Sequence, residues 1–154
     1  MKLVINSPDL WRDQIPRPHV DGHKYHRGHV AIYGAPELTG ATRLAAMACS
    51  RTGAGLVTVI ARENADIYRI TLPPDIMVRG EMPEKASVLL CGSGGVLPDQ
   101  MTEALDLSDR VGRVFDADAL QAEIILRGTE HPFKLPQMRC EYAPFVQLAE
   151  TDLR

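Results

Sequence analysis

Three short segments hold the residue types that bind phosphates, sugars or metal ions. The first spans residues 34–41, the second is the glycine-rich sequence 92–95, and the third contains Asp116 and Asp118. Exposed backbone N–H groups beside a glycine turn, especially where a helix begins, favour an anion such as phosphate. Two carboxylates at i, i+2 suit a magnesium ion or a ribose hydroxyl. The candidate binding residues are Gly34, Thr39, Gly40, Ala41, Gly92, Ser93, Gly94, Gly95, Asp116 and Asp118.

Each segment also has a purely structural interpretation. Tight turns need glycine for positive φ, so both glycine segments fit plain turns. Asp116 fits the N-terminal cap of a following helix. The segment 92–95 is neither the Gly-x-Gly-x-x-Gly fingerprint with its distant acid nor a P-loop. The spacing alone therefore leaves a ligand loop and a plain turn both open.

Histidine and cysteine supply no convincing metal or nucleophile site. His23, His26 and His29 would share a helix face, but Gly28 and the apolar run after it argue against a helix. We therefore predict no metal site. Cys91 has no base beside it in the sequence and is expected to be a buried small hydrophobe. The three cysteines form no Cys-x-x-Cys pair, which favours a reducing, cytoplasmic location over a disulfide framework.

The elements around these segments alternate between strand and helix. A β-branched run at 29–33, a small-residue helix at 39–53 and a buried run at 55–60 form a βαβ unit. The pattern predicts an α/β fold with a doubly wound, mostly parallel sheet and helices on both faces. Ligands of such sheets bind beyond the carboxyl ends of the strands, where all three segments lie. Further strands are predicted at 75–78, 87–91, 111–115 and 138–142, and further helices at 63–71, 98–107, 117–126 and 144–150.

The helix at 39–53 is the strongest single prediction. Thr39 is expected to cap its start, and Gly53 to end it. Leu44, Met47 and Ala48 share one face at the i, i+3, i+4 spacing. We expect this helix to pack closely on the sheet because alanine dominates it.

Composition limits the possible domain organisation and the possible classes of partner. The chain has 154 residues, of which 45% are hydrophobic and 24% charged, with net charge −3. This predicts one globular domain over residues 1–154, with an irregular arm at 1–28 and a divergent segment at 128–154. Because there is no basic stripe and no apolar run of membrane length, we expect neither a nucleic-acid partner nor a membrane partner.

Four sequence stretches resemble a known family. They are His-Lys-Tyr-His-Arg-Gly-His-Val at 23–30, Thr-Gly-Ala-Thr-Arg-Leu-Ala-Ala at 39–46, Arg-Thr-Gly-Ala-Gly-Leu-Val-Thr at 51–58 and Asp-Ala-Asp-Ala-Leu at 116–120. In this order they resemble the ADP- or ATP-dependent NAD(P)H-hydrate dehydratases, carbohydrate-kinase-related enzymes of the ribokinase-like superfamily. The resemblance runs from about residue 7 to about residue 126.

The resemblance implies both a fold and a site. The fold would be the N-terminal half of a ribokinase-like domain. Family members remove water from hydrated NADH or NADPH, driven by hydrolysis of ATP or ADP. Gly40 and Ala41 would line the hydrated-nicotinamide site, the loop at 92–96 would contact the dinucleotide, and Asp116 and Asp118 would lie nearby. The expected ligands are thus ATP or ADP and an NAD(P)H-type dinucleotide.

The sequence also departs from the family pattern. The family's Gly-Pro-Gly-Leu-Gly loop is Gly-Ser-Gly-Gly-Val at 92–96, and its Thr-Pro-His-x-Gly-Glu motif is Arg-Cys-Glu-Tyr-Ala-Pro at 139–144. The chain ends at Arg154, near half the family's length, and it lacks the Gly-Thr-Gly-Asp motif that holds the family's catalytic base.

These departures leave three interpretations. The first is a truncated relative that is inactive alone and still binds a nucleotide or dinucleotide. The second is a non-catalytic structural protein that self-associates, as a homodimer or larger, through the surface that the absent half would cover. In the third, a partner supplies that half and restores the dehydratase. Whether the chain is an enzyme stays open at this point.

Overall fold

The computed structural model describes residues 7–10, 12–15, 17 and 19–120. Five strands in this part of the chain form a single parallel sheet in the order β3-β2-β1-β4-β5. The strands are β1 His29–Tyr33, β2 Leu56–Ile60, β3 Ile76–Arg79, β4 Val88–Cys91 and β5 Gly112–Phe115. The helices are α1 Thr39–Arg51, α2 Ala65–Thr71 and α3 Pro98–Asp106.

The side chains of the sheet alternate between two apolar clusters. Ile32 packs with Ala46 of α1 and Tyr68 of α2, whereas its neighbours Ala31 and Tyr33 pack with residues of α3. Successive strand residues point to opposite faces, so α1 and α2 cover one face and α3 covers the other. The predicted doubly wound α/β sheet is therefore confirmed.

The predicted elements at 29–115 all exist, with ends that shift by up to two residues. Of the helix predicted at 117–126, residues 117–120 are described: Ala117 lies in a turn, and residues 118–120 are helical. The strand at 138–142 and the helical turn at 144–150 lie outside the described residues. In the arm at 1–28, the described elements are three short 3-10 helices, at Pro8–Leu10, Arg12–Gln14 and Lys24–Arg27. No helix among all these elements is long and apolar enough to cross a membrane.

The orientation of α1 corrects two predictions. Thr39 is the first helical residue and not the cap, since Leu38 holds the cap position without a side-chain hydrogen bond. The predicted apolar face is also wrong at Leu44, which is 67% exposed, and at exposed Ala48, whereas Met47 does pack against the core. The buried residues of the helix are Thr42 and Ala46. Leu44 stands two positions from each of them and so points about 200° away around the helix. Small residues on the buried face allow a close approach to the sheet. Gly53, at φ +103°, ends the helix as predicted.

The amino-terminal edge of the sheet is held to the arm through Gly55. The backbone N–H groups of Gly55 and Leu56 both donate to the Gly28 carbonyl oxygen, at 3.0 and 3.2 Å. A Cβ built on Gly55 would overlap the carbonyl oxygen of Lys24. Only glycine therefore allows the arm to lie against β2, and this contact joins the stretches at 23–30 and 51–58.

Substitution of Gly55 tests this packing. We expect Gly55→Ala to lower the free energy of unfolding by about 1–3 kcal/mol, because a backbone atom occupies the space of the new methyl group. The matched control is Gly80→Ala, since a Cβ at Gly80 meets nothing within 4 Å and its φ lies outside the left-handed region. That variant should change stability by less than about 1 kcal/mol. Urea unfolding of both variants makes the comparison, and equal midpoints would contradict the contact.

Candidate functional site

The direction of the strand order reverses between β1 and β4. From β1 the chain proceeds outward through β2 to β3, then returns to the other side of β1 as β4 and continues to β5. In this architecture ligands usually bind at such a reversal, at the carboxyl edge between the loops that follow the two central strands. Here these loops are the segments 34–41 and 92–95, and the surface where they meet the start of α1 is termed the crevice. The loop with Asp116 and Asp118 follows β5, next to β4.

Thr42 joins the two loops at this reversal. Its buried hydroxyl accepts a hydrogen bond from the backbone N–H of Ala35, at 3.1 Å, and donates to the carbonyl oxygen of Ser93, at 2.9 Å. One side chain in the first turn of α1 thus fixes the loop after β1 against the loop after β4. Thr42 is not among the predicted site residues, although a hydroxyl within an alanine-rich helix is a sequence signal for such a contact.

Asp116 extends this network to the third loop. Its Oδ2 atom accepts a hydrogen bond from the Ser93 hydroxyl at 2.9 Å, and its backbone N–H donates to the carbonyl oxygen of Cys91, also at 2.9 Å. In the part of the chain that the structure describes, the carboxylate makes no helix-capping bond. Among the described residues, Asp116 therefore positions the loop at 92–95 and does not cap a helix through its side chain.

The glycines at 92–95 are shaped by close packing. Gly92, Gly94 and Gly95 all have positive φ, at 105°, 89° and 128°. A Cβ on Gly92 would overlap the carbonyl oxygen of Asp116, and one on Gly94 would overlap that of Leu38. Both positions are therefore restricted to glycine by neighbouring backbone as well as by φ. The turn lies directly against the start of α1.

This turn presents backbone donors without partners. The N–H of Gly95 donates to the Gly92 carbonyl oxygen at 3.2 Å, whereas those of Ser93 and Gly94 have no partner among the described residues. At the start of α1, the N–H groups of Thr39 and Ala41 donate to the carbonyl oxygens of Glu37 and Leu38, at 2.9 and 3.3 Å, so among the first three N–H groups of this helix only that of Gly40 has no partner among the described residues. The turn and the start of α1 lie close together: the Cβ atom of exposed Ala41 is 3.1 Å from a Cβ built on Gly94. Such an arrangement of N–H groups suits an anion.

The remaining predicted residues occupy different surroundings. Asp118 is exposed, with its Oδ2 atom 3.9 Å from a Cβ built on Gly95. Gly40 is in open space, where an added Cβ would meet only Arg43, at 3.9 Å. Thr39 is half-buried in the first turn. Gly34 is buried behind the crevice, where a Cβ would lie 3.0 Å from the Tyr68 ring.

Side chains from the α2 region hold the loop after β1 from behind. The Tyr68 hydroxyl donates to the Ala35 carbonyl oxygen at 3.0 Å, and the Asn64 amide donates to that of Pro36. Burial raises the pKa of Tyr68, so the phenol stays protonated and remains a donor. Nothing in the sequence indicated these contacts, because the bonded residues lie about thirty positions apart.

A cation lies beside the first turn of α1. The Arg43 Nε atom is buried and has no hydrogen-bond partner among the described residues. A buried donor of this kind carries a free-energy cost unless something accepts from it. Its guanidinium NH2 group is the nearest neighbour of the Gly40 position.

Nucleophilic and metal chemistry have no support in the described residues. Burial raises the pKa of Cys91 to about 12, so the group is a thiol at neutral pH, in agreement with the prediction of a small buried hydrophobe. The three histidines do not converge, because the rings of His23 and His26 stack at 3.9 Å while His29 turns into the sheet and bonds Thr58. The described part of the chain contains no group of three or more His, Cys, Asp or Glu placed to hold a metal ion.

Solved structures share this architecture. A ribokinase-like superfamily protein from Enterococcus faecalis V583 superposes with a TM-score of 0.64 at 21% identity, over 84% of this chain and 52% of that chain. The hypothetical protein SMU.573 from Streptococcus mutans gives 0.62 at 25% identity, over 77% of this chain and 48% of that chain. The chain thus spans about half the length of each structure, and the ribokinase-like fold is confirmed.

Sequence comparison identifies the family. The chain is 42% identical over 72 residues to the bifunctional NAD(P)H-hydrate repair enzyme Nnr of Moorella thermoacetica, a match that covers 40% of this chain and 14% of that enzyme. The family described as NAD(P)H-hydrate dehydratase matches residues 29–131, more than half of the chain. Both matches agree with the resemblance carried by the four motif stretches. The chain therefore belongs to the NAD(P)H-hydrate dehydratase family.

Proposed function

We propose that the crevice between α1 and the loop at 92–95 binds a nicotinamide dinucleotide, hydrated NADH or NADPH, with ATP or ADP as the alternative nucleotide. The observation that carries this proposal is the pair of unpartnered N–H groups at Ser93 and Gly94, held beside the start of α1. Backbone donors fixed in this way, together with the positive end of the helix dipole, attract a pyrophosphate. The relative from Moorella thermoacetica is named for repair of the same dinucleotides.

Each wall of the crevice has a distinct role in this proposal. The N–H groups of Ser93 and Gly94 contact the pyrophosphate, and Gly40 and Ala41 leave room for the hydrated nicotinamide ring. The exposed carboxylate of Asp118, which has no partner among the described residues, accepts hydrogen bonds from a ribose hydroxyl. Asp116 acts indirectly, since it positions Ser93 through the 2.9 Å hydrogen bond.

The Arg43 guanidinium adds positive charge to the same end of α1. Its buried Nε–H has no partner among the described residues, and the side chain reaches back to Gly40. A cation in these surroundings strengthens the attraction for a phosphate, because it acts in addition to the helix dipole. Its role here is electrostatic, with no contact to the ligand assigned.

We further propose that this chain alone does not catalyse dehydration. Removal of water needs a positioned acid or base, which contributes roughly 10²–10⁴-fold to a rate. The two acids of the third loop do not supply one, since Asp116 accepts from Ser93 and Asp118 stands exposed in water. The Gly-Thr-Gly-Asp sequence that supplies the base in the family is not found in the 154 residues.

A charge placed at the crevice mouth tests the binding proposal. We expect Ala41→Glu to weaken NADPH binding at least about tenfold, because a carboxylate beside the unpartnered N–H groups competes with the phosphates and repels them. The matched control is Ala48→Glu, which makes the same change at another exposed alanine of α1. Calorimetric titration and ligand-induced shifts of the melting temperature compare both variants with the unmodified chain. Equal weakening in the two variants, or no NADPH binding by the unmodified chain, would refute the site.

Turnover is a separate measurement. The chain is incubated with hydrated NADH and either ATP or ADP, and the absorbance of restored NADH is followed. We expect the rate to equal the spontaneous rate, since a dinucleotide held without a base gains little acceleration. A rate well above the spontaneous one, which is abolished by Ala41→Glu and retained by Ala48→Glu, would show that this chain is an active dehydratase.

A further inference from the structure

A second concave surface lies away from the crevice. It is a cleft of about 740 Å³ on the sheet face opposite α1 and α2. His29, Leu56, Met77 and Arg79 contribute to its floor, and the connection from β3 to β4 and the start of the Lys24–Arg27 helix form its rim. None of the residues assigned to the crevice lines it. A volume of this size is within the range of small-molecule sites, about 300–1,000 Å³.

The charges around this cleft do not neutralise one another. Three basic side chains line it, from Lys24, Arg79 and Lys85, against the carboxylates of Glu81 and Glu84. None of these five side chains forms an ion pair in the described part of the protein. The cleft therefore has a surplus of positive charge available to a ligand.

Tyr25 places two of these cations around one aromatic ring. The Nζ atoms of Lys24 and Lys85 lie 5.6 and 5.2 Å from the ring centroid, within cation–π range. The ring itself is 46% exposed although it lines the cleft. A flat apolar surface and two ammonium groups are thus presented together. This combination suits a ligand that has both a planar ring and an anionic group.

His29 adds a polar atom to the floor. The residue is only 6% exposed, and its Nε2 atom is hydrogen-bonded to the Thr58 hydroxyl at 2.8 Å. Burial, with Arg79 nearby, lowers its pKa, so the ring is neutral at pH 7. Its other nitrogen, Nδ1, has no hydrogen-bond partner among the described residues.

We propose that this cleft binds a small organic anion in which a phosphate monoester is joined to a flat ring, as in a nucleoside monophosphate. The phosphate lies among the cations of Lys24, Lys85 and Arg79, and the ring lies against Tyr25 and the apolar side chains of Leu56 and Met77. His29 marks the floor of the site. This proposal does not rest on the function proposed for the crevice.

Titration of the whole chain with AMP tests the proposal at the cleft itself. The ring resonances of His29 are followed by NMR, with adenosine and inorganic phosphate as separate probes of the two halves of the ligand. We expect a saturable shift of His29 with AMP and a weaker affinity for either half alone. The absence of a saturable shift with millimolar AMP would overturn the proposal, as would equal affinity for AMP and inorganic phosphate.

Charge-removing variants locate the binding. Arg79→Gln and Lys85→Gln should each weaken AMP binding about threefold or more, because each removes one cation from the cleft. The matched control, Arg51→Gln, removes an exposed cation from α1 outside the cleft and should leave the affinity unchanged. Equal weakening in all three variants would show that the affinity for AMP depends only on the net charge of the chain, and it would overturn the proposal.

The Ala41→Glu variant separates the two sites. AMP should still shift His29 in this variant, since Ala41 does not line the cleft. Loss of the His29 shift in Ala41→Glu would place AMP in the crevice, which would refute the cleft site and leave the function proposed for the crevice standing. Loss of NADPH binding with AMP binding retained would support both assignments.

Discussion

The hydroxyl of Thr42 is the interaction on which the crevice depends. It is fully buried and bridges the backbone N–H of Ala35 and the carbonyl oxygen of Ser93. Without it, two buried backbone groups would lose their partner, and the loops after β1 and β4 would be held to each other only by packing. The Ser93 hydroxyl extends the bridge to Asp116, so one network links the loops that follow β1, β4 and β5. The two glycines that touch neighbouring backbone, Gly92 and Gly94, allow these loops to approach.

The fold was predictable where local pattern and tertiary packing agree. β-Branched runs bounded by glycine predicted the strands, because residues buried on both faces leave that signature. The face of α1 was predicted wrongly, since the apolar pattern selected Leu44 while the buried positions are Thr42 and Ala46. A threonine reads as polar in such a pattern, although this one is buried because both of its hydrogen-bond partners lie in distant loops. The Thr39 cap was wrong by one position, since Leu38 precedes the helix.

The candidate site was predictable in position but not in detail. The glycine segments and the two aspartates follow strands, and the parallel topology brings the carboxyl ends of strands to one edge. Local spacing could not show that Gly92 packs against Asp116 or that Ser93 is bonded to both Thr42 and Asp116, since these contacts join residues far apart in the chain. The cleft near His29 could not be predicted as one surface, although part of its lining lies in the stretches 23–30 and 51–58, because its wall is assembled from the arm, three strands and the connection between β3 and β4. Ligand binding, self-association and the location in the cell stay predictions.

Replacement of the Thr42 hydroxyl is the most direct test of the account. Thr42→Val keeps the shape of the side chain and removes both hydrogen bonds, whereas Thr42→Ser keeps the hydroxyl. We expect Thr42→Val to lower the free energy of unfolding by about 1–3 kcal/mol and to weaken NADPH binding, and Thr42→Ser to retain most of both. Urea unfolding and calorimetric titration measure the two quantities on the same samples. A Thr42→Val chain as stable as the unmodified one, with undiminished NADPH binding, would contradict the claim that this hydroxyl builds the crevice.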